Sequence, residues 1–216
     1  MNMEWGLISA YGVARREVIQ AGYAEEIIWQ ELRTPNQVSE QEFLEQYAWV
    51  VLSSGMKEAV IRRRFGAIKR AFMEFSSAHS IVRNVNRCRK SALSVFAHER
   101  KIEAICDTAR WLSTIGIWSV VAGLKNEGPK YLAQLPYMGP ATSFHLAKNL
   151  GLDVVKPDRH LVRIAETAGY CSVDELCKYI STHVSEKISV VDTVLWRFAT
   201  LNPRYHELFC AARLAP

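Results

Sequence analysis

The sequence predicts an all-α protein, and three observations support that fold class. Apolar residues recur at helical spacing along most of the 216 residues. Ser, Asp, Gly and Pro stand where these segments begin or end. Only the stretch 153–156, "DVVK", resembles a strand, and it has no partner to pair with. The length allows one sizeable domain or two small lobes that share a cleft.

Helical segments can be placed on both sides of the region 130–169. They are residues 8–32, 39–54, 57–75, 100–116, 172–181, 188–203 and 204–215. Two of them begin with a capping box, in which Ser39 precedes Glu42 and Ser172 precedes Glu175 by three positions. These signals predict helices that are separated by short turns, with no internal repeat and no long linker.

The composition is that of a globular protein and is compatible with an anionic partner. Hydrophobic residues make up 49% of the chain, the formal charge is +5 and the pI is near 9.0. The five cysteines are widely spaced and include no CxxC pair, which argues against a disulfide framework, a zinc site or an iron–sulfur cluster. No apolar run of membrane-spanning length and no signal-like segment occurs. We therefore expect a soluble protein of the cytoplasm, nucleoid or nucleus, without a membrane partner.

A hairpin of two short helices is predicted over residues 130–150. Pro136 ends the first helix, Gly139 permits a tight turn, and Pro140 begins a second helix that ends at Gly151. Free backbone N–H groups near Gly139, together with the positive end of the second helix, suit a phosphate. An ordinary connection between two helices is the alternative interpretation.

One carboxylate follows this hairpin, in a loop and helix predicted over residues 152–169. Asp158 occupies the N-cap position, and a capping aspartate needs no further function. Because a short loop joins Asp158 to the hairpin helix, we expect both to face the same region of the surface. A carboxylate near DNA phosphates is repelled, and that repulsion is useful where a reaction develops positive charge on a sugar.

The stretch "LPYMGPATSFHLAKNLGLDVVKPDRHLVRIAETAG" resembles the signature of the helix-hairpin-helix DNA glycosylases. The residues that match the family's hairpin and catalytic-aspartate motifs are Leu135, Pro136, Gly139, Asp158, His160 and Arg163. A weaker similarity extends over residues 43–169. The resemblance implies that residues 1–216 form one catalytic unit of two helical lobes, with the active-site cleft between the lobes.

The resemblance also implies an activity and a set of site residues. Such enzymes flip a damaged, mismatched or modified base out of double-stranded DNA and hydrolyse its N-glycosidic bond. Asp158 is the implied catalytic residue, which stabilises the oxocarbenium-like sugar and assists the nucleophile. The implied DNA contacts are Leu135, Tyr137, Gly139, Ala141, Thr142, Ser54 and Lys156. The base-pocket candidates are Trp49, Phe144, His145 and Trp196. The backbone carbonyls of Ala133, Leu135 and Met138 are the implied ligands of a Na⁺ or K⁺ ion, and no other cofactor is required.

Three departures from the family pattern modify this expectation. Ala141 stands where bifunctional members carry a Schiff-base lysine, so we expect water as the nucleophile and an abasic site as the product. Tyr137 replaces the first glycine of the hairpin, and the cysteine quartet of an iron–sulfur cluster is absent. Lys148 and Lys156 are conceivable substitutes for the missing lysine, although we expect Lys148 to be a solvated helix residue and Lys156 to contact a phosphate.

The sequence thus predicts a monomeric, monofunctional DNA glycosylase of base excision repair or of modified-base removal. One alternative is a glycosylase and abasic-site lyase that uses a non-standard lysine. The other is a non-catalytic helix-hairpin-helix DNA-binding protein in which Asp158 acts only as a helix cap. Alkylated, oxidised, deaminated, mismatched and programmed modified bases all remain candidates for the excised base.

Overall fold

The computed structural model of the protein describes residues 3–214, with side chains from residue 6 to residue 210. It confirms the all-α prediction, because that part of the chain contains no strand and residues 153–156 are irregular. The α-helices are α1 (Met3–Gln20), α2 (Ala24–Leu32), α3 (Glu40–Ser53), α4 (Glu58–Ala71), α5 (Ala78–Arg83), α6 (Val85–Val95), α7 (Glu99–Ile115), α8 (Ile117–Glu127), α9 (Pro129–Leu132), α10 (Pro140–Asn149), α11 (Arg159–Ala168), α12 (Val173–Val184), α13 (Ile188–Leu201) and α14 (Tyr205–Leu214). Short 3₁₀ helices cover Pro35–Gln37 and Met73–Phe75.

The helices divide into two compact units. Unit 2 is the continuous segment Thr34–Leu152, which contains α3 to α10. Unit 1 is formed by the chain before and after that segment, with α1, α2 and α11 to α14. Among the described residues, none of the helices combines the length and the apolar character that crossing a bilayer requires.

Unit 1 has an apolar core to which α1, α11, α12, α13 and α14 contribute. The buried aromatic side chains of this core include Tyr11, Phe198 and Phe209. Helix α13 packs against α1, α2 and α12, and all its residues from Ser189 to Leu195 are buried. A polar side chain in that part of α13 is therefore shielded from water and needs a partner within the protein.

Unit 2 is organised around α3 and α7, which pack against each other. Phe43, Leu44 and Tyr47 of α3 are fully buried, as are Ile102 and Ile105 of α7. Helix α10 packs against α3 and α9, and α4 packs against α6. The second helix of the predicted hairpin consequently lies on the core of unit 2.

Most helix starts agree with the sequence signals. Ser39 Oγ accepts a hydrogen bond from the Glu42 N–H at 3.2 Å, and Ser172 Oγ accepts one from the Glu175 N–H at 3.1 Å. The first predicted segment differs, because it forms two helices instead of one. Gly22, with a φ of 88°, lets the chain turn between α1 and α2.

Gly151 lies directly against Thr34. The chain enters unit 2 at Thr34 and leaves it just after Gly151. The φ of Gly151 is 92°, and a Cβ atom at this position would lie 2.6 Å from the Thr34 carbonyl carbon. Only glycine permits both the dihedral angle and the close approach. The two ends of unit 2 are therefore adjacent.

Candidate functional site

The hairpin is present, with α9 and α10 joined by residues 133–139. The Leu135 N–H donates to the Leu132 carbonyl at 3.0 Å, and the Met138 N–H donates to the Leu135 carbonyl at 3.2 Å. The hydroxyl of the buried Tyr47 donates to the Pro136 carbonyl at 2.8 Å. The connection is therefore a tight turn that is fixed to the core of unit 2.

Tyr137 occupies the turn with a left-handed backbone, at a φ of 62°. This conformation is uncommon for a bulky residue and normal for glycine. The Thr142 hydroxyl donates to the Tyr137 carbonyl at 2.7 Å, and this bond helps hold the turn in place. The tyrosine therefore adopts a backbone conformation that favours glycine, and its half-buried ring lies at the turn.

The N-terminus of α10 is open to solvent at Gly139 and Pro140. Within the described part of the chain, the backbone N–H groups of Gly139, Ala141 and Thr142 bind no acceptor, as is normal for the first turn of a helix. A Cβ atom on Gly139 would meet only Thr142 Oγ1, at 3.9 Å. The fold itself therefore leaves room for a side chain at position 139.

The carbonyls that the resemblance implies as cation ligands lie in this turn. The Leu135 carbonyl accepts one N–H, whereas those of Ala133 and Met138 accept none from the described residues. Two of the three oxygens therefore accept no backbone N–H from the described residues, and the cation site itself stays a prediction. The described part of the chain contains no cluster of three or more His, Cys, Asp or Glu side chains that could hold a metal ion.

The turn that follows α3 is tied to the interior of unit 2 by Lys101. This side chain is only 4% exposed, and its Nζ donates to the carbonyls of Leu52, at 3.0 Å, and of Ser54. Burial lowers the pKa of the Lys101 ammonium below its usual value. Lys101 Nζ also lies 6.0 Å from the centre of the Tyr137 ring. Lys101 thus connects Ser54 and Tyr137, two residues that the resemblance implies as DNA contacts.

In unit 1, Asp158 is the N-cap of α11, as the sequence predicted. Its Oδ1 accepts hydrogen bonds from the backbone N–H groups of His160, at 2.9 Å, and Leu161, at 3.1 Å. Its Oδ2 lies 3.8 Å from Lys156 Nζ, and the side chain is 14% exposed. One carboxylate oxygen is thus used by the helix, while the other faces an ammonium group near the surface.

Two further carboxylates hold the segment before Asp158 on α13. Asp192 Oδ2, from the buried part of α13, accepts the Lys156 N–H at 2.6 Å. Asp153 Oδ1 accepts the Ser189 N–H at 2.8 Å. We call residues 153–158 the aspartate loop. Hydrogen bonds to α13 fix the loop near both of its ends.

The two other motif residues on α11 contact α14. His160 Nδ1 lies 3.2 Å from the hydroxyl of the buried Tyr205. An Nη of the exposed Arg163 lies 3.4 Å from His206 Nε2. Both side chains therefore link α11 to α14.

The base-pocket candidates occur in both units and already pack against neighbours. Trp49 makes an edge-on contact with Phe65 at 5.1 Å, and the Arg62 guanidinium lies 5.6 Å from its ring. The ring of Trp196 lies 4.7 Å from the Arg197 guanidinium. Phe144 and His145 are half-buried on α10.

Lys148 corrects one expectation, because it is only 7% exposed and not a solvated helix residue. The last turn of α10 is buried throughout, from Leu146 to Leu150, and includes this lysine. The turn faces α3, where Asn149 Nδ2 donates to Gln46 Oε1 at 3.0 Å. Burial of this turn against the core of unit 2 explains the difference.

Sequence reasoning missed Lys101 and Asp192. A signal for Lys101 exists, since it lies four residues before Ile105 and seven before Thr108, on the buried side of α7. A charged residue on such a face needs polar partners. Asp192 likewise interrupts an apolar run, "ISVVDTVL".

Comparison of the chain with protein families, with curated proteins and with solved structures finds no match.

Proposed function

We propose that this protein is a monofunctional DNA N-glycosylase with the helix-hairpin-helix architecture. The observation that carries the proposal is the different environment of the two carboxylate oxygens of Asp158. The helix cap uses Oδ1, whereas Oδ2 takes no part in the cap and lies 3.8 Å from Lys156 Nζ, in a side chain that is 14% exposed. The second oxygen is therefore left over by the cap and is the group that the proposal assigns to the sugar. The open N-terminus of α10 and the tight turn before it are also features that a phosphate-binding hairpin requires.

In the proposed reaction, the hairpin binds a phosphate and orients the nucleotide. The N–H groups of Gly139, Ala141 and Thr142 donate to phosphate oxygens, and the positive end of α10 favours the anion. A monovalent cation held by the carbonyls of the turn would add positive charge to the hairpin. Because these contacts involve only backbone groups, they do not depend on the base.

Asp158 acts on the sugar in this proposal. As the bond between C1′ and the base nitrogen breaks, its electron pair leaves with the base and positive charge develops on the sugar. The carboxylate stabilises that charge and orients a water molecule, whose oxygen bonds to C1′. One proton of the water is transferred to the departing base. Ala141 has no amine that could form a Schiff base, so the strand stays intact and the product is an abasic site.

The test compares two aspartates of the aspartate loop. Asp158→Asn keeps an oxygen for the helix cap, since Asn caps as well as Asp, and removes only the charge. Asp153→Asn is the matched control, because it makes the same change at the other end of the loop. Base release is measured over duplexes that each carry one lesion or modified base, and abasic sites are read by alkaline cleavage. We expect Asp158→Asn to abolish release and Asp153→Asn to retain it.

Two outcomes would reject the catalytic role. Equal base release by wild type and Asp158→Asn would show that the carboxylate takes no part in the reaction. Duplex binding without release of any base in the panel would favour a non-catalytic DNA-binding protein with Asp158 as a cap.

A lyase that uses Lys156 is the second candidate, and the 3.8 Å separation between Lys156 Nζ and Asp158 Oδ2 favours it. An amine next to the proposed catalytic carboxylate could attack C1′ and form a Schiff base. Borohydride would then trap a covalent complex of wild type with DNA, and Lys156→Gln would form none. Absence of the adduct in wild type, together with base release, supports the monofunctional enzyme.

A further inference from the structure

Positive charge is concentrated in unit 2. Residues 34–152 contain 16 lysines and arginines against 9 aspartates and glutamates, whereas the rest of the chain contains 11 against 13. Within unit 2, residues 59–98 carry nine lysines and arginines and one acidic residue, Glu74. This stretch includes most of α4 and all of α5 and α6. The excess of positive charge therefore lies in unit 2, and within it mainly in residues 59–98.

The cations on the flanks of this region are paired with carboxylates. Arg62 pairs with Glu58 on α4 itself. Lys69 Nζ lies 2.9 Å from Glu45 of α3. On α6, Arg89 Nε lies 2.9 Å from Glu103 of α7. These side chains stabilise contacts within unit 2 and are not available as free positive charges.

The exposed cations of α4 and α6 that are not in these ion pairs form a different group, which we call the basic face; the exposed Arg83 of α5 is not counted in it. The basic face consists of Arg63, Arg64 and Arg70 on α4 and Arg87 and Lys90 on α6. All five are exposed, and none lies within ion-pair distance of a carboxylate in the described part of the chain. Their two helices pack against each other. Arg63 and Arg70 are two helical turns apart, about 10 Å along α4, so the positive charge extends along the surface.

The chemistry of the face selects among anionic partners. The exposed large apolar side chains of the described chain are Ile19, Ile28, Trp29, Leu32, Met56, Trp118, Val162 and Leu201, and none lies on α4, α5 or α6. A face that binds a membrane surface pairs its cations with apolar anchors. A face that binds a single strand presents aromatic rings for base stacking. Closely spaced cations without either feature fit the phosphates of a duplex.

We propose that the basic face binds the phosphate backbone of double-stranded DNA without recognising bases, as a contact additional to the hairpin. The choice of DNA as the duplex rests on the proposed function, whereas the requirement for a duplex polyanion rests on the face alone. Contacts of this kind release counterions and dominate binding to undamaged DNA. The basic face thus supplies lesion-independent affinity, which keeps the protein on DNA between target bases.

The experiment removes outward cations in pairs from the full-length protein. The test variants are Arg63→Gln with Arg70→Gln, and Arg87→Gln with Lys90→Gln. The control is Arg16→Gln with Lys125→Gln, which removes two exposed cations that lie outside α4 and α6 and within ion-pair distance of no carboxylate in the described part of the chain. Dissociation constants for an undamaged DNA duplex are measured between 0.05 and 0.5 M NaCl. Each test variant should lower the slope of log K against log salt by about two, and weaken binding roughly fifty-fold at 0.1 M. The control should keep the slope of wild type.

Further measurements decide against the proposal or support it. Slopes equal to wild type in both test variants overturn it. If the test variants bind vesicles of phosphatidylserine and phosphatidylcholine more weakly than wild type but bind the DNA duplex equally well, the face binds a membrane surface and the proposal is overturned. If the test variants lose affinity only for duplex RNA, the choice of DNA is overturned. If wild type releases no base but the slopes still fall, the glycosylase proposal fails and the basic face is supported.

Discussion

The side chain of Asp192 accepts a hydrogen bond from the backbone N–H of Lys156 at 2.6 Å, although 36 residues separate the two. Asp192 is 1% exposed, so its carboxylate has no access to bulk water as an alternative partner. The interaction fixes the aspartate loop two residues before Asp158. The position of the proposed catalytic carboxylate therefore depends on a buried residue of α13.

We expect Asp192→Ala to lower the free energy of unfolding by about 2–3 kcal/mol, because it leaves the Lys156 N–H without its partner and removes a buried hydrogen bond to a charged group. Asp192→Asn keeps an acceptor oxygen and should recover most of that loss. Urea unfolding of both variants measures the difference. For base release, Asp192→Ala should lower kcat more than it changes KM, and Asp192→Asn should restore kcat. Equal stabilities of the alanine variant and wild type would contradict this role.

Gly139→Val should weaken duplex binding about ten- to a hundredfold, equally for damaged and undamaged DNA. The side chain would keep a phosphate away from backbone N–H groups whose bonds to an anion contribute about 1.5–3 kcal/mol. Because the fold leaves space at this position, the melting temperature should stay close to that of wild type. Gly12→Ala, on α1, is the control for adding a side chain elsewhere. Unchanged affinity of Gly139→Val would argue against phosphate binding at the hairpin.

Lys101→Met should change how stability depends on pH. Because burial lowers the pKa of Lys101 in the folded state below 10.5, the unfolded chain binds more protons between the lowered pKa and 10.5. Wild type should therefore gain stability relative to Lys101→Met as the pH rises through that window. Chemical denaturation at several pH values measures this difference. A difference that does not change with pH would show that the buried ammonium carries no desolvation cost.

Gly151→Ala should destabilise the protein by about 2 kcal/mol or more, because both the dihedral angle and the contact with Thr34 oppose a side chain. Gly22→Ala separates these causes. Gly22 also has a positive φ, of 88°, but nothing lies within 4 Å of its added Cβ. Thermal unfolding should show the larger loss for Gly151→Ala. Equal losses would mean that the contact with Thr34 relaxes without cost.

The local features of the fold could be predicted from sequence because each depends on a few neighbouring residues. The N-caps at Ser39, Ser172 and Asp158 follow from spacing alone. The long-range features could not be predicted in this way. Nothing near Lys101 shows that its ammonium meets the carbonyls of Leu52 and Ser54, which precede it by more than 40 residues.

Tyr137 shows a second limit of prediction from sequence. A bulky residue such as tyrosine is not predicted in a left-handed turn, yet Tyr137 has a φ of 62°. The penalty for this conformation in a non-glycine residue is about 1–3 kcal/mol, which surrounding contacts have to offset. The bonds of the turn to Thr142 and of Pro136 to Tyr47 supply such contacts, and they exist only in the folded chain.

The adjacency of Gly151 and Thr34 has a consequence for the order of folding. Unit 1 is assembled from two stretches of chain, and joining them directly requires closing the whole of residues 34–152 as a loop. The entropic cost of closing a flexible loop rises with its length. If residues 34–152 fold first, Arg33 and Asp153 are brought close together. The assembly of unit 1 then no longer includes the entropic cost of closing that loop. Unit 2 would then template the assembly of unit 1, and Gly151→Ala would slow the formation of a core that contains neither Gly151 nor Thr34.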